Sequence, residues 1–364
     1  MTQKQLESFF KYLKKGNLLA GPVREGGILN FTEIDNINEI ELTNEIPLHS
    51  FKRFLLPVKE VLETSEQKSP CTCLRRQVPL YKRGNATKMA LVGVTAPDLK
   101  AITILNHVFE KDPFYQNRLK NTIIIGYGEF PCEYKGLFAV RYEENILEHI
   151  QFDIFIVKET APRGNMECKI FTGSDDGQKV LDKFGYRNYE NAQFAGLVPE
   201  EGKDKSMIRI RKAMENLSPE SGVFKELGEK CIECGRCSII CPLCFCFCLK
   251  DGQPPLTPPF GKLPPIRRLP AELEGAGRAG SCKGGETIMC RTATTCFYSE
   301  FSEVAGGHKF LKNPAERIFN WYEHKFARMP DEFSAPGCVS CGRCARVCPV
   351  GINIREVIGK IMES

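Results

Sequence analysis

The stretch Cys231-Ile-Glu-Cys234-Gly-Arg-Cys237-Ser-Ile-Ile-Cys241-Pro242 decides how this chain is read, and it returns as Cys338-Val-Ser-Cys341-Gly-Arg-Cys344-Ala-Arg-Val-Cys348-Pro349. Both are C-x2-C-x2-C-x3-C-P, the run that holds [4Fe–4S] clusters in bacterial ferredoxins. Three thiolates at i, i+3 and i+6 can wrap one corner of a cubane, each taking a different iron. Gly235 and Gly342 let backbone N–H groups approach the sulfides closely. The fourth cysteine cannot reach back to the same cube, and the proline after it turns the chain away. In two-cluster ferredoxins that cysteine binds the other cluster. The spacing therefore assigns one cluster to Cys231, Cys234, Cys237 and Cys348, and a second to Cys338, Cys341, Cys344 and Cys241.

The plainer readings are zinc or disulfides. Structural zinc sites use paired C-x2-4-C knuckles, usually two pairs per ion, so a third cysteine at i+6 is surplus, and here it occurs twice. Disulfides need an oxidising compartment, which nothing in the sequence supports.

At 364 residues the chain is long enough for two or three domains with a real core. Its 18 cysteines exceed what ordinary packing uses, and the two motifs absorb eight of them. The N-terminus has no basic region followed by an apolar one, so no signal peptide is expected. No apolar run approaches the roughly 18 residues of a membrane span. The expectation is a reducing, cytoplasmic setting. The formal charge of +5 counts no thiolates. Two oxidised clusters with their ligands would each carry about −2 and leave the loaded protein near neutral. A nucleic-acid partner is therefore not expected.

Along the chain, Leu6, Phe9, Phe10 and Leu13 fall at helical spacing over residues 3–14. Strand-like pieces follow at Leu18–Val23 and Gly27–Ile34, divided by glycine turns. Residues 63–85 read as an exposed irregular loop holding Cys71-Thr-Cys73, two thiols with no third ligand nearby. Met89-Ala-Leu-Val-Gly-Val94 is a continuous apolar run, as a buried parallel strand should look. A helix is expected over Asp98–Glu110. Strands follow at Thr122–Gly126, Phe152–Val157 and Met166–Phe171, and a helix at Gln178–Phe184. This alternation predicts an α/β domain with a mostly parallel sheet over residues 1–195. No G-x-G-x-x-G follows either central strand, so no flavin or NAD(P) site is expected in this chain.

Residues 196–364 read as a mainly α-helical, ferredoxin-like domain carrying both clusters, entered through helical signal at 205–228. Residues 249–285 change character: seven prolines lie between Pro254 and Pro270, and glycines follow. This is a Pro/Gly-rich insertion with little to bury, better read as surface loop than as a docking segment.

Immediately after Cys241 comes Pro-Leu-Cys244-Phe-Cys246-Phe-Cys248, and far along the chain Cys296. Cys244, Cys246 and Cys296 are candidates for a third metal site. Against this, free cysteine is among the most buried residue types, and alternation with Phe245 and Phe247 suits packing. Cys282 and Cys290 lie in or beside the insertion. His308 and His324 are each followed by Lys-Phe; such residues more often serve as hydrogen-bonded structural groups than as ligands.

Several of these stretches together resemble a known family: Cys231–Cys248, Cys296, Ala305-Gly-Gly-His-Lys-Phe310, Ala315-Glu-Arg, His324-Lys-Phe326, and Cys338–Pro349 with Gly351-Ile-Asn-Ile354. They are similar to the beta subunits of cytoplasmic sulfhydrogenases, the NAD(P)-linked nickel–iron hydrogenases, and to the related A subunit of anaerobic sulfite reductase. Val92-Gly-Val-Thr-Ala-Pro-Asp98 and Asn121-Thr-Ile-Ile-Ile-Gly126 extend the resemblance to the N-terminal half. The chain departs from the family where Ala96 or Pro97 replaces a cysteine before Asp98, where Cys132 stands alone in place of Cys-Phe-Cys, and where Cys296 lacks a preceding Trp-Asp-Ser.

The resemblance implies an electron-transfer subunit of a multisubunit oxidoreductase. It would relay electrons between a flavin, NAD(P)-binding subunit and hydrogenase-type catalytic subunits, with flavin and nickel held by those partners. Two other readings compete. One is a sulfur or sulfite reductase component with its own active centre at Cys244, Cys246 and Cys296. The other is an interaction module whose clusters only hold the fold.

Overall fold

The computed structural model describes residues 1–64, 87–160, 166–197, 205–251 and 288–363. Cys71, Cys73, Cys282 and the seven prolines of the insertion lie outside these ranges. In chain order the strands are β1 (Leu18–Glu25), β2 (Ile28–Glu33), β3 (Lys59–Thr64), β4 (Met89–Val94), β5 (Thr122–Gly128) and β6 (Cys132–Lys135). There follow β7 (Ala139–Tyr142), β8 (Ile154–Thr160), β9 (Met166–Thr172), β10 (Glu190–Asn191), β11 (Phe247–Asp251) and β12 (Ile288–Ala293).

Seven strands form one mixed sheet in the order β10-β9-β8-β5-β4-β1-β2. The β1–β4, β4–β5, β5–β8 and β9–β10 pairs are parallel; β1–β2 and β8–β9 are antiparallel. The mostly parallel α/β organisation read from the apolar runs is therefore present. All six residues of β4 are buried, as a strand covered on both faces requires.

One face of the sheet is covered by helix Gln3–Lys14, which begins with a capping box between Thr2 and Gln5 and buries Leu6, Phe9, Phe10 and Leu13. Helix Asp175–Phe184 covers the same face through Leu181. Each fully buried side chain of this kind contributes about 1.5–3 kcal/mol. The opposite face carries helix Ala96–Val108, every residue of which from Ala96 to Leu105 is buried. A helix buried on every face, Asp98 and Lys100 included, must be covered on all sides. Here the second covering comes from the C-terminal half, since Leu99 and Ile102 share one core with Leu243, Met329, Ala335 and Val339.

The C-terminal half is mainly helical. Helical signal over 205–228 resolves into Lys205–Glu215 and Gly222–Lys230, parted at Ser218-Pro-Glu. These pack with helices Pro314–Glu323 and Ile354–Glu363 around Met207, Ile210, Phe224, Trp321, Phe326 and Ile361. Helix Pro314–Glu323 runs on into a π turn, His324–Arg328, and a short helix, Met329–Phe333. Pro330 explains the widening. It has no N–H to donate, and its ring crowds the carbonyl four residues back, so the Met329 N–H bonds five residues back to His324.

This half also contributes strands. β11 and β12 pair antiparallel, and β12 pairs with β3 to give a three-stranded sheet joining the two halves of the sequence. Leu249, Lys250 and Asp251 therefore extend a strand rather than opening the loop expected from residue 249, and Glu63 and Thr64 likewise end β3 rather than begin a loop. Arg291 on β12 ties the sheet down through Glu60 and Asp112. Among the described residues no helix is long and apolar enough to cross a membrane.

Candidate iron–sulfur centres

The two cysteine motifs fold alike in detail. In the first, Glu233 has φ 54° and Gly235 φ 67°, ψ 0°; in the second, Ser340 has φ 54° and Gly342 φ 71°, ψ 0°. Left-handed backbone is routine for glycine but costs other residues about 1–3 kcal/mol, so its recurrence at Glu233 and Ser340 marks a conformation imposed by the motif. The benefit is visible in the amides. The Glu233 N–H points at Cys231 Sγ, 3.4 Å away; beyond the second motif, past the left-handed Gly351, the Ile352 N–H points at Cys348 Sγ, 3.2 Å away. Short helices, Arg236–Ile240 and Arg343–Val347, follow the two loops and pack against each other.

Close approach fixes two glycines. A Cβ on Gly235 would lie 2.6 Å from Thr295 Cγ2. One on Gly136, in the turn between β6 and β7, would lie 1.6 Å from the Ser340 carbonyl oxygen. The β6–β7 hairpin thus seats directly on the second motif, where Arg355 also donates to the Gly136 carbonyl.

Two cavities lie between the motifs. The larger is lined by Cys231, Cys234, Cys237 and Cys348, with Trp321, Tyr322 and Phe297. The smaller is lined by Cys241, Cys338, Cys341 and Cys344, with Leu137 and Lys325. Each cavity takes three cysteines from one motif and the fourth from the other, and Cys344 borders both. Among the described residues no three His, Cys, Asp or Glu side chains converge on a position for a single metal ion. Thiols ranged around an apolar space suit a polynuclear cluster, whose irons take one cysteine each.

Burial pushes the Cys237 and Cys338 thiols up to about 12, and carries Cys231, Cys341 and Cys344 upward as well. Without a bound cation these thiols resist ionisation. Cys241 is the exception: a hydrogen bond from the Cys244 thiol, then the Lys325 and Lys52 ammoniums, hold it well below the usual thiol range.

Sequence reading missed the cations around the second cavity. Lys325 is buried on the π turn, with Nζ 3.3 Å from Cys241 Sγ and 2.7 Å from the Gly337 carbonyl oxygen. Lys52 Nζ donates to the carbonyls of Ile239, Cys241 and Cys244 at 2.7, 2.8 and 3.0 Å. Arg343 is 0 % exposed and forms a bidentate pair with Asp98, at 2.6 and 2.7 Å, while its Nε donates to the Pro47 carbonyl. Arg236 holds the same place in the first motif and is exposed. The α/β half reaches both motifs, through Lys52 in the first and Asp98 in the second, but it covers only the second arginine, which is why two identical Cys-Gly-Arg-Cys stretches have arginines of opposite fate.

The other candidates divide as follows. The interaction between the neighbouring Cys246 and Cys296 thiols brings Cys246 down to about 7 and, with burial, pushes Cys296 up. Cys244 is bonded instead to Cys241, which carries its own thiol upward. Phe245 packs on Phe109, whereas Phe247 is half-exposed on β11. The Cys248 thiol donates to the Thr292 carbonyl at 3.7 Å. Cys132, Cys168 and Cys290 are buried. His308 is exposed on a hairpin turned by Gly306 and Gly307. His324 stacks edge-on to Phe245, and burial lowers it to about 4.

A family model for a 4Fe-4S dicluster domain matches residues 279–352, which include the second cysteine motif. The chain is 26% identical over 379 residues to the beta subunit of sulfhydrogenase 2 of Pyrococcus furiosus, covering 98% of this chain and 95% of that protein. No solved structure matches significantly.

Proposed function

We propose that this homologue of a sulfhydrogenase beta subunit is the iron–sulfur electron-transfer subunit of a multisubunit oxidoreductase. The observation that carries this reading is the crosswise lining of the two cavities: Cys231, Cys234 and Cys237 meet Cys348 and Cys344 of the other motif in the larger, and Cys338, Cys341 and Cys344 meet Cys241 in the smaller. Cys231, Cys234, Cys237 and Cys348 would hold one [4Fe–4S] cluster; Cys338, Cys341, Cys344 and Cys241 would hold the other, as in two-cluster ferredoxins. Such clusters supply one-electron storage and transfer. The chain's own contribution is to hold eight thiolates, aim amides at sulfur, and exclude water with Trp321, Tyr322, Leu137 and Phe297.

In this reading residues 1–195 form the platform through which the ferredoxin-like module of residues 196–364 is braced and docked. The relay would run between a flavin, NAD(P)-binding subunit and hydrogenase-type catalytic subunits, in the cytoplasm. The relative's name, that of one subunit of a sulfhydrogenase, supports a multisubunit complex with hydrogenase-type partners. Cys244, Cys246 and Cys296 would be the thiols to hold a third metal; Cys244 interacts with Cys241 and Cys246 with Cys296. An iron content near twelve, with the excess lost in Cys296→Ala, is the result that would assign them one.

The reading is tested with the purified single chain under anaerobic conditions. Dithionite and a flavin partner reduce it, but it neither oxidises NAD(P)H nor evolves hydrogen. Turnover of NAD(P)H or of a sulfur compound by this chain alone would defeat the relay.

A further inference from the structure

The two sets of cysteines lie in different electrostatic surroundings. Around the second set, Lys325 Nζ is 3.3 Å from Cys241 Sγ, and Lys52 Nζ bonds the Cys241 carbonyl at 2.8 Å. Lys100, also buried, has its Nζ 5.6 Å from the centre of the Tyr142 ring, and burial lowers it to about 8. Arg343 adds no net charge, because Asp98 neutralises it. The first set differs. Glu233 within its loop is bound to Arg317, a neutral pair, and Arg236 is exposed to solvent. Ile232, the residue after Cys231, is 61% exposed, so this set lies near the surface.

The reduction potential of an iron–sulfur centre follows its net charge, the hydrogen bonds to its sulfurs and its solvent exposure. Burial alone would disfavour the added electron at the second set. Charges act more strongly where solvent is excluded, so ammoniums inside the same buried region oppose that effect, Lys325 foremost, since against burial the nearby thiols raise it, whereas burial lowers Lys52.

We propose that the site of Cys241, Cys338, Cys341 and Cys344 is the electron-accepting inner end of the relay, held by Lys325 and Lys52 at a higher potential than the outer site of Cys231, Cys234, Cys237 and Cys348. This rests on the relay reading and gives it a polarity. A one-electron donor, the reduced flavin of the partner, delivers at the outer site, and the electron passes inward. One electron leaves the flavin and one arrives at the inner site, with no bond made and no proton moved at either set of cysteines. Lys325 and Lys52 act here as positioning residues, since they reach the redox centre through its ligand.

The experiment is an EPR-monitored potentiometric titration of the loaded full chain. Ile232→Lys, a surface change beside Cys231, identifies the outer signal by raising its midpoint. In the unaltered chain the inner signal has the higher midpoint, with a reduced-to-oxidised ratio at least about tenfold greater than the outer one at a common potential, which is about 59 mV. Lys325→Met lowers the inner ratio about tenfold and leaves the outer midpoint in place; Lys325→Arg restores most of it. Should Lys325→Met fail to load, Lys52→Met is titrated and shifts the same signal in the same direction. The proposal is overturned if the signal moved by Ile232→Lys is the higher of the two, or if neither lysine variant moves a midpoint. Either outcome leaves two reducible clusters and the relay intact, whereas absence of reducible clusters would overturn the relay itself.

Discussion

Cys241→Ala lowers bound iron from about eight to about four per chain and leaves the EPR signal of the Cys231, Cys234, Cys237 and Cys348 site in place. The effect is large because it removes a ligand from the far cluster, although Cys241 lies in the same motif as the near one. Cys241 borders the cavity of Cys338, Cys341 and Cys344, beside the Lys325 ammonium. Removing its sulfur opens one corner of that site and leaves the Lys325 ammonium facing an alanine. Iron counting with EPR of the dithionite-reduced variant decides the matter. Loss of the Cys231, Cys234 and Cys237 signal instead would mean that each motif holds a cluster by itself.

Asp98→Ala destabilises the protein by about 3–5 kcal/mol, the usual cost of leaving a buried charge without its partner. Asp98 stands near the start of helix Ala96–Val108 and receives both terminal nitrogens of Arg343, which lies between Cys341 and Cys344. The lost pair therefore loosens the loop that presents two of the inner thiols. The variant should show a lower midpoint in chemical denaturation and should also lose iron from the inner site first. Replacing both residues, Asp98→Leu with Arg343→Met, should cost less than Asp98→Ala alone, because no charge is then stranded. A change under about 1 kcal/mol in Asp98→Ala would mean that solvent reaches Arg343 and that the halves are not locked there.

Much of this architecture could be read from local pattern. Met89–Val94 is apolar at every position but one glycine, so a doubly covered strand was legible without any neighbour. The helix of residues 3–14 announced itself through Leu6, Phe9, Phe10 and Leu13 at helical spacing. The cysteine spacing likewise implied crossed sets; the cavities bring cysteines of both motifs together, with Cys344 bordering both.

What escaped sequence reading depends on contacts far apart in the chain. β3 meets β12 through pairs such as Glu60 with Arg291, which no local periodicity encodes. The four-residue strands β6 and β7 are too short to show alternation, yet their turn seats on Ser340. Arg236 and Arg343 have the same motif context; only the α/β half, by covering one and not the other, separates an exposed cation from a buried one. Lys52 and Lys325 look like surface lysines in sequence, because a partner made of backbone carbonyls or a thiol leaves no charged residue nearby to betray it. The left-handed turns at Glu233 and Ser340 could have been suspected from the motif, since both occupy the second position between its first two cysteines.

The measurement that bears most directly on the central claim is a reductive titration of anaerobically purified chain whose iron, zinc and acid-labile sulfide have been counted. Two [4Fe–4S] clusters held crosswise predict about eight irons, about eight sulfides and no zinc, with uptake of about two electrons per chain and two EPR signals on full reduction. Stoichiometric zinc without sulfide, or metal that accepts no electrons, would contradict a chain built to conduct them.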